Sequence, residues 1–92
     1  MKYDRETLVN KIAEHEGVVL EPYRDSLGIN TIGIGRNLEG RGIADYELMH
    51  MNKTLEEILD TGLTKKEAYY LCNNDIDIVE KELVKQKPIV VE

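Results

Sequence analysis

The first third of the chain changes from helical to strand-like spacing of its apolar residues. Over residues 4–16, Leu8, Ile12 and their neighbours recur every three to four positions, and Gly17 is typical of a helix end. Residues 18–24 and 30–36 have strand composition and alternation, and "DSLG" between them is typical of a turn. The pattern therefore predicts one helix followed by a β-hairpin.

The remainder of the chain returns to helical spacing. Residues 43–59 predict a second helix, and residues 37–42 before it predict a loop or a short third strand. Thr64 and Glu67 match a capping box, so a long third helix begins there and continues to about Lys87, where Pro88 interrupts it. The predicted fold class is α+β, as one small lobe over residues 1–92.

Composition and charge exclude several classes of partner and of protein. A chain of 92 residues with 41% hydrophobic content and no Trp or Phe builds one small core. Its net charge of −6 repels phosphate backbones, so no nucleic-acid partner is expected. Cys72, the single cysteine, is predicted to be a packed thiol. No stretch is apolar enough for membrane insertion, and no leader is recognised, so synthesis in the cytoplasm is expected.

Two acids flank the predicted hairpin. Glu16 shares a helix face with Leu8 and Ile12, where contact with apolar side chains would favour the protonated form that a general acid needs. An ordinary exposed acid at a helix end is the alternative interpretation of Glu16. Asp25 opens the turn, where aspartate is also frequent simply because it hydrogen-bonds nearby amides.

The second predicted strand has one nearly bare face. Thr31, Gly33 and Gly35 alternate onto that face, which would let a ligand lie against the backbone; a bulge or a tight twist is the alternative. Glu16 and Asp25 would then flank an open groove. Two carboxyl groups on either side of a groove are what glycosidic cleavage requires, because one protonates the leaving oxygen and the other handles water or the sugar cation.

Four motifs extend this interpretation to a family. The chain contains "HEG", "PYRDSLG", "TIGIG" and "GLTKKEAYYLCNNDID", and over roughly residues 8–87 it resembles the phage-type lysozymes, the endolysin muramidases of tailed phages. The resemblance implies that Glu16 is the general acid, Asp25 the second carboxylate and Thr31 a holder of the attacking water. It further implies inverting hydrolysis of the β-1,4 bond between N-acetylmuramic acid and N-acetylglucosamine, with carboxyl groups about 6.5 to 9.5 Å apart.

The remaining site assignments follow from the resemblance and from strand geometry. His15 and His50 have no Cys or His at metal-ligand spacing, so neither a metal nor another cofactor is expected. The expected partner is bacterial peptidoglycan. The residues predicted to line the substrate cleft are Tyr23, Gly33, Gly35 and Asn37.

The chain departs from the family at one position of the strand. Many members have histidine after "TIGIG", where this chain has Arg36. By alternation Arg36 lies on the side of Ile32 and Ile34, and Asp75 lies on the apolar stripe of the third helix. We therefore expect Arg36 and Asp75 to form a structural ion pair inside the lobe.

Length is the second departure from the family. Phage-type lysozymes are longer and carry a helical second lobe that closes the cleft, so this chain is expected to be the N-terminal catalytic lobe alone and to be weak or inactive. The alternative is a stand-alone half lysozyme that binds glycan or protein, with a second copy or a partner covering the missing wall and the apolar residues 89–91. In either case we expect action on the cell wall after release from a bacterial host.

Overall fold

The described part of the chain forms four helices and one three-stranded antiparallel sheet. The computed structural model describes the backbone of residues 4–91 and the side chains of residues 4–82. The α+β fold class is therefore confirmed. Within the described residues the elements are α1 (Arg5–Glu16), β1 (Val19–Arg24), β2 (Asn30–Gly33), β3 (Arg36–Asn37), α2 (Asp45–Met51), α3 (Leu55–Thr61) and α4 (Lys65–Val91), with the strands in the order β1-β2-β3.

Helix α1 begins and ends where its sequence predicts. The Asp4 carboxylate accepts hydrogen bonds from the Glu6 N–H at 3.2 Å and the Thr7 hydroxyl at 2.9 Å, which satisfies donors left open at a helix start. Gly17 ends the helix with φ +86°, a conformation that favours glycine. Val9 and Ala13 face the core. The end of α1 is thereby fixed at Glu16.

The second strand is shorter than predicted. The alternation over residues 30–36 suggested one continuous strand, and this prediction is wrong because β2 ends at Gly33 and a turn at Ile34 and Gly35 leads into β3. Gly33 and Gly35 have φ of +71° and +73°, values that reverse the chain at little steric cost in glycine. Arg36 therefore pairs with Ile32 on the neighbouring strand instead of following it on the same one.

The predicted second helix is two helices. α2 ends at Asn52, which has φ +58°, a left-handed conformation that asparagine tolerates better than most residues. Thr54 then starts α3, since its hydroxyl accepts from the Glu57 N–H while the Glu57 carboxylate accepts from the Thr54 N–H. The capping box at residues 54–57 is thus of the same kind as the one predicted at residues 64–67. The prediction of a single helix over residues 43–59 did not take the capping box at residues 54–57 into account.

Helix α4 contributes more residues to the core than any other element. The predicted capping box of Thr64 and Glu67 is confirmed. Termination near Lys87 is wrong, because α4 passes Pro88 and ends at Val91, although the proline removes one backbone donor. The side chains of residues 89–91, which were expected to need a cover, lie outside the described ones. The buried apolar residues that form the core are Val9, Ala13, Ile32, Ile34, Ile58, Leu63, Ala68, Leu71, Cys72 and Ile76.

Two further features of α4 complete the packing. Cys72 is buried as predicted, and burial raises the pKa of its thiol. Arg5 of α1 reaches across to α4, where it donates to Asp77 at 3.0 Å and Glu80 at 2.9 Å. No helix in the described part of the chain has the length and apolar character to cross a bilayer.

Gly62 supports a test of how α3 is joined to the sheet. A Cβ at Gly62 would overlap the Leu20 carbonyl oxygen, and the backbone there has φ +84° and ψ −167°. Gly62→Ala should lower the free energy of unfolding by at least about 3 kcal/mol, because backbone strain and steric overlap add. Gly28 has a similar φ, but a Cβ at that position would have no atom within 4 Å. Gly28→Ala should therefore lower the free energy of unfolding by only about 1 kcal/mol. Equal costs in urea unfolding would show that the Leu20 contact is unimportant.

Candidate active site

Glu16 lies at the exposed end of α1. The prediction that apolar side chains shield it from water is wrong, because Glu16 is the last residue of the helix and its side chain is exposed. Its Oε1 lies 3.4 Å from the position that a Cβ of Gly35 would occupy. The carboxylate of Glu16 is therefore placed beside the turn between β2 and β3.

Asp25 is held by the turn that it opens. Its Oδ1 accepts hydrogen bonds from the N–H of Leu27 at 2.8 Å and of Ile29 at 3.0 Å. Its backbone also closes the turn, through the Asp25 N–H to the Ile29 carbonyl and the Gly28 N–H to the Asp25 carbonyl. Turn formation and a chemical role are thus compatible, since Oδ2 accepts no hydrogen bond within the described residues.

Thr31 is the middle of a row that crosses the sheet. Tyr23 of β1 and Asn37 of β3 are its direct partners on either side, and directly opposed residues of antiparallel strands share a face. Tyr23 and Asn37 are half-buried and Thr31 is buried between them. The Thr31 hydroxyl donates to the Ile29 carbonyl oxygen at 2.9 Å, in the same turn that binds Asp25. The structure therefore brings Tyr23, Thr31 and Asn37 together.

The predicted bare strand face does not exist. Gly33 is buried, and the Cβ position at Gly33 lies 3.5 Å from Leu63 and 3.7 Å from Ala68, so this glycine packs against the core instead of lining a groove. Gly35 is exposed, but it faces Glu16 from the turn and does not continue the strand. Both positive-φ glycines take the chain out of the alternation on which the prediction rested.

The two acids lie at opposite ends of β2. Asp25 lies beside the start of β2, because Arg24, the residue before it, pairs with Asn30, the first residue of that strand. Glu16 lies beside Gly35, just beyond the other end of the strand. A four-residue strand spans about 10 Å from its first to its last Cα. The arrangement thus places one carboxyl group at each end of a short strand, with Thr31 between them.

A buried arginine anchors the turn under Glu16. Arg36 follows Gly35, and its side chain is 1% exposed, as is that of Glu47 at 0%. Two parallel hydrogen bonds of 2.9 Å join the guanidinium to the Glu47 carboxylate. Asp75, which was predicted to pair with Arg36, lies 3.1 Å from Nη2 and accepts from Nε at 3.2 Å. The carbonyl oxygens of Gly42 and Leu71 take the remaining donors.

Glu47 is the member of this cluster that the sequence prediction missed. Burial alone would raise the pKa of Glu47, but hydrogen bonds from Arg36, Asn74 and the Ala44 N–H, together with the charge of Arg36, lower it to about 2. The one available signal was its position between Ile43 and Met51, four residues from each, on the apolar side of α2. An acid at such a position requires a partner, but the spacing does not identify Arg36.

The histidines and the other acids of the described residues form no metal cluster. In that part of the chain, no group of three or more His, Cys, Asp or Glu side chains is arranged to hold a metal ion. His50 is stacked on Tyr70 with ring centroids 4.0 Å apart and planes 12° apart.

Acid should weaken the Arg36–Glu47 pair in a defined range. Because the pKa of Glu47 is lowered from 4.5 to about 2, the pair stabilises the fold above pH 4.5 and loses its effect as pH falls through about 2. A shift of that size corresponds to about 3 kcal/mol. Glu47→Gln should lower the free energy of unfolding at neutral pH by about 3 to 5 kcal/mol and remove this part of the acid dependence.

Asp75→Asn is the matched variant for this test. The Asp75 side chain is 31% exposed and the Arg36–Glu47 pair stays intact without it, so its cost should be smaller. Urea unfolding between pH 7 and pH 2 measures both variants. The assignment fails if Asp75→Asn is the costlier change or if Glu47→Gln unfolds with the acid dependence of the original protein.

Comparison with protein families identifies the family of this chain. Comparison with curated proteins returned no match. The model of the phage lysozyme family matches residues 13–91, a range that includes Glu16, Asp25 and Thr31 and nearly the whole described chain. The chain therefore belongs to the phage lysozyme family.

Proposed function

We propose that this chain hydrolyses the β-1,4 bond between N-acetylmuramic acid and N-acetylglucosamine in bacterial peptidoglycan. Membership of the phage lysozyme family supports peptidoglycan hydrolysis in general. In the proposed reaction Glu16 protonates the leaving glycosidic oxygen, while Asp25 and Thr31 hold the attacking water. The observation that carries the proposal is the placement of Glu16 and Asp25 at opposite ends of β2, with Thr31 between them.

The placement of the two acids supports the inverting reaction. Inverting glycosidases place their carboxyl groups about 6.5 to 9.5 Å apart, so that a water fits between one of them and the sugar, and retaining enzymes about 5 to 5.5 Å apart. The two acids lie at opposite ends of β2, whose Cα atoms span about 10 Å, so we expect the wider of these two carboxyl separations. The wider separation would leave room for a water on the side of the sugar opposite to Glu16.

The hydrogen bonds around Asp25 and Thr31 suit a bound water. Two backbone amides fix Oδ1 of Asp25, which leaves Oδ2 to accept a proton from water. The Thr31 hydroxyl gives its own proton to the Ile29 carbonyl, so toward a water it acts as an acceptor. Both groups would accept hydrogen bonds from the same water, which orients its lone pair toward the sugar carbon. Asp25 then takes the proton as the new bond forms.

The surroundings of this site lead us to expect slow hydrolysis. Glu16 is exposed, so water reaches the reacting atoms and weakens the electrostatic interactions that would stabilise the transition state. Tyr23, Gly35 and Asn37 form the part of the sugar-binding wall that the described residues supply. We place synthesis in the cytoplasm of a bacterial host, with access to the wall after release, and we assign the host lysis of a phage as the setting.

A second candidate function is glycan binding without hydrolysis. The exposure of Glu16 favours it, because a site open to water stabilises the charges of a transition state less than a closed site does. The row of Tyr23, Thr31 and Asn37 would then serve as a sugar-binding surface alone. This candidate predicts that the chain binds peptidoglycan and that replacement of Glu16 leaves the polymer equally intact.

Clearing of a peptidoglycan suspension tests the proposal. The unmodified chain at high concentration should lower the turbidity slowly, and Glu16→Gln should reduce the rate at least about 100-fold, the usual contribution of a general acid. Glu56→Gln is the charge-matched control, since Glu56 is an exposed acid at the start of α3 and should leave the rate unchanged.

Circular dichroism of each variant shows whether it is folded. If Glu16→Gln and Glu56→Gln change the rate of clearing equally, the assignment of Glu16 is contradicted. A folded chain that binds the suspension without clearing it would favour the second candidate.

A further inference from the structure

A broad groove on the described surface lies away from Glu16. It measures about 640 Å³ and is bounded by α1, by β1 with the residue before it, and by the first turns of α4. None of Glu16, Asp25 and Thr31 lines it. The proposed reaction therefore gives this groove no role, although it begins only two residues from Glu16, at Glu14 and Val18.

Two lysines of this groove lack ionic partners. Lys11 comes from α1 and Lys65 from the first turn of α4, and neither forms an ion pair with any side chain that the structure describes. Arg5, Arg36, Arg41 and Lys53 have carboxylate partners. Arg24, Lys66 and Lys81 also have none among the described side chains, but they do not line this groove. The chain has a net charge of −6, so two unpaired lysines at one groove give that part of the surface a charge opposite to that of the whole chain.

The walls between the lysines are largely apolar. Val18, Leu20 and Tyr69 line the groove and are only partly covered, so they offer apolar surface to a ligand. Asn10 adds an amide that donates and accepts hydrogen bonds. Glu14 contributes the one negative charge among the lining residues. These groups together match a ligand with an anionic end, a short apolar body and backbone amides.

We propose that this groove binds a short peptide with small apolar side chains and a free terminal carboxylate. Lys11 and Lys65 would contact the carboxylate, Asn10 the peptide amides, and Val18, Leu20 and Tyr69 the side chains. Peptidoglycan carries short peptides of this chemistry, so the inference names a second part of the proposed substrate and in that respect rests on the proposed function. Binding itself rests on the groove alone.

A titration followed by two-dimensional NMR tests the groove without requiring hydrolysis. The probe is acetyl-trialanine with a free carboxylate, added to the Glu16→Gln chain at low ionic strength. Millimolar binding should shift the amide signals of residues 10–14 and 65–69. Lys11→Ala and Lys65→Ala should each weaken binding about three- to fivefold, as expected for a partly exposed charge contact. Lys66→Ala, an adjacent change of equal charge outside the groove, should leave it unchanged.

Four results would overturn the proposal. Acetyl-trialanine amide that binds as tightly as the acid would exclude the carboxylate contact. Inorganic phosphate that shifts the same signals at the same concentration would indicate a simple anion patch. Equal losses in Lys65→Ala and Lys66→Ala would indicate a non-specific effect of charge, and an absence of shifts up to the solubility limit would exclude binding. Because the Glu16→Gln chain is used throughout, failure of hydrolysis and failure of this groove are separate outcomes.

Discussion

The buried pair between Arg36 and Glu47 is the interaction on which the rest of this structure depends. Removing two charges from water costs several kcal/mol, and the cost is offset only where every donor and acceptor is satisfied. Here all five guanidinium N–H groups have acceptors, on Glu47, Asp75 and two backbone carbonyls. One side chain therefore connects β3 with α2, with α4 and with the loop before α2.

The Arg36–Glu47 pair fixes part of the geometry of the candidate site. Arg36 comes directly after Gly35, so anchoring the arginine also fixes the turn over which the Glu16 carboxylate lies. Asp25 is fixed independently, by backbone amides within its own turn. β2 joins the two positions and carries Thr31 between them. A small domain thus places polar chemistry along the central strand of its sheet, while a buried ion pair and a short list of apolar side chains keep that strand in place.

Features that depend on neighbouring residues were predictable from the sequence. The cap at Asp4, the turn at Asp25 and the capping box at Thr64 are each decided within five residues, and all three appear in the structure. The same local reasoning identified the family, through motifs whose residues lie close together along the chain. The capping box at Thr54 was equally visible in the sequence, but helical spacing continued across it and concealed the break at Asn52.

Features that depend on φ or on distant partners were not predictable. Two glycines with positive φ divide the apparent alternation over residues 30–36 into two strands joined by a turn, and alternation alone carries no information on φ. Arg36 has two carboxylate partners. Periodicity predicted Asp75, whereas Glu47 is revealed only by the packing of α2 against the sheet. The exposure of Glu16 likewise reflects where the helix ends relative to the core, which helical spacing does not specify.

The anomeric form of the sugar released from peptidoglycan tests the central claim most directly. Proton NMR during digestion by the unmodified chain distinguishes the two anomers before they equilibrate. Attack by a water held at Asp25 and Thr31, opposite to Glu16, predicts that the new N-acetylmuramic acid ends appear first as the α anomer. Initial release of the β anomer, or the absence of new reducing ends from a folded chain at high concentration, would contradict the account.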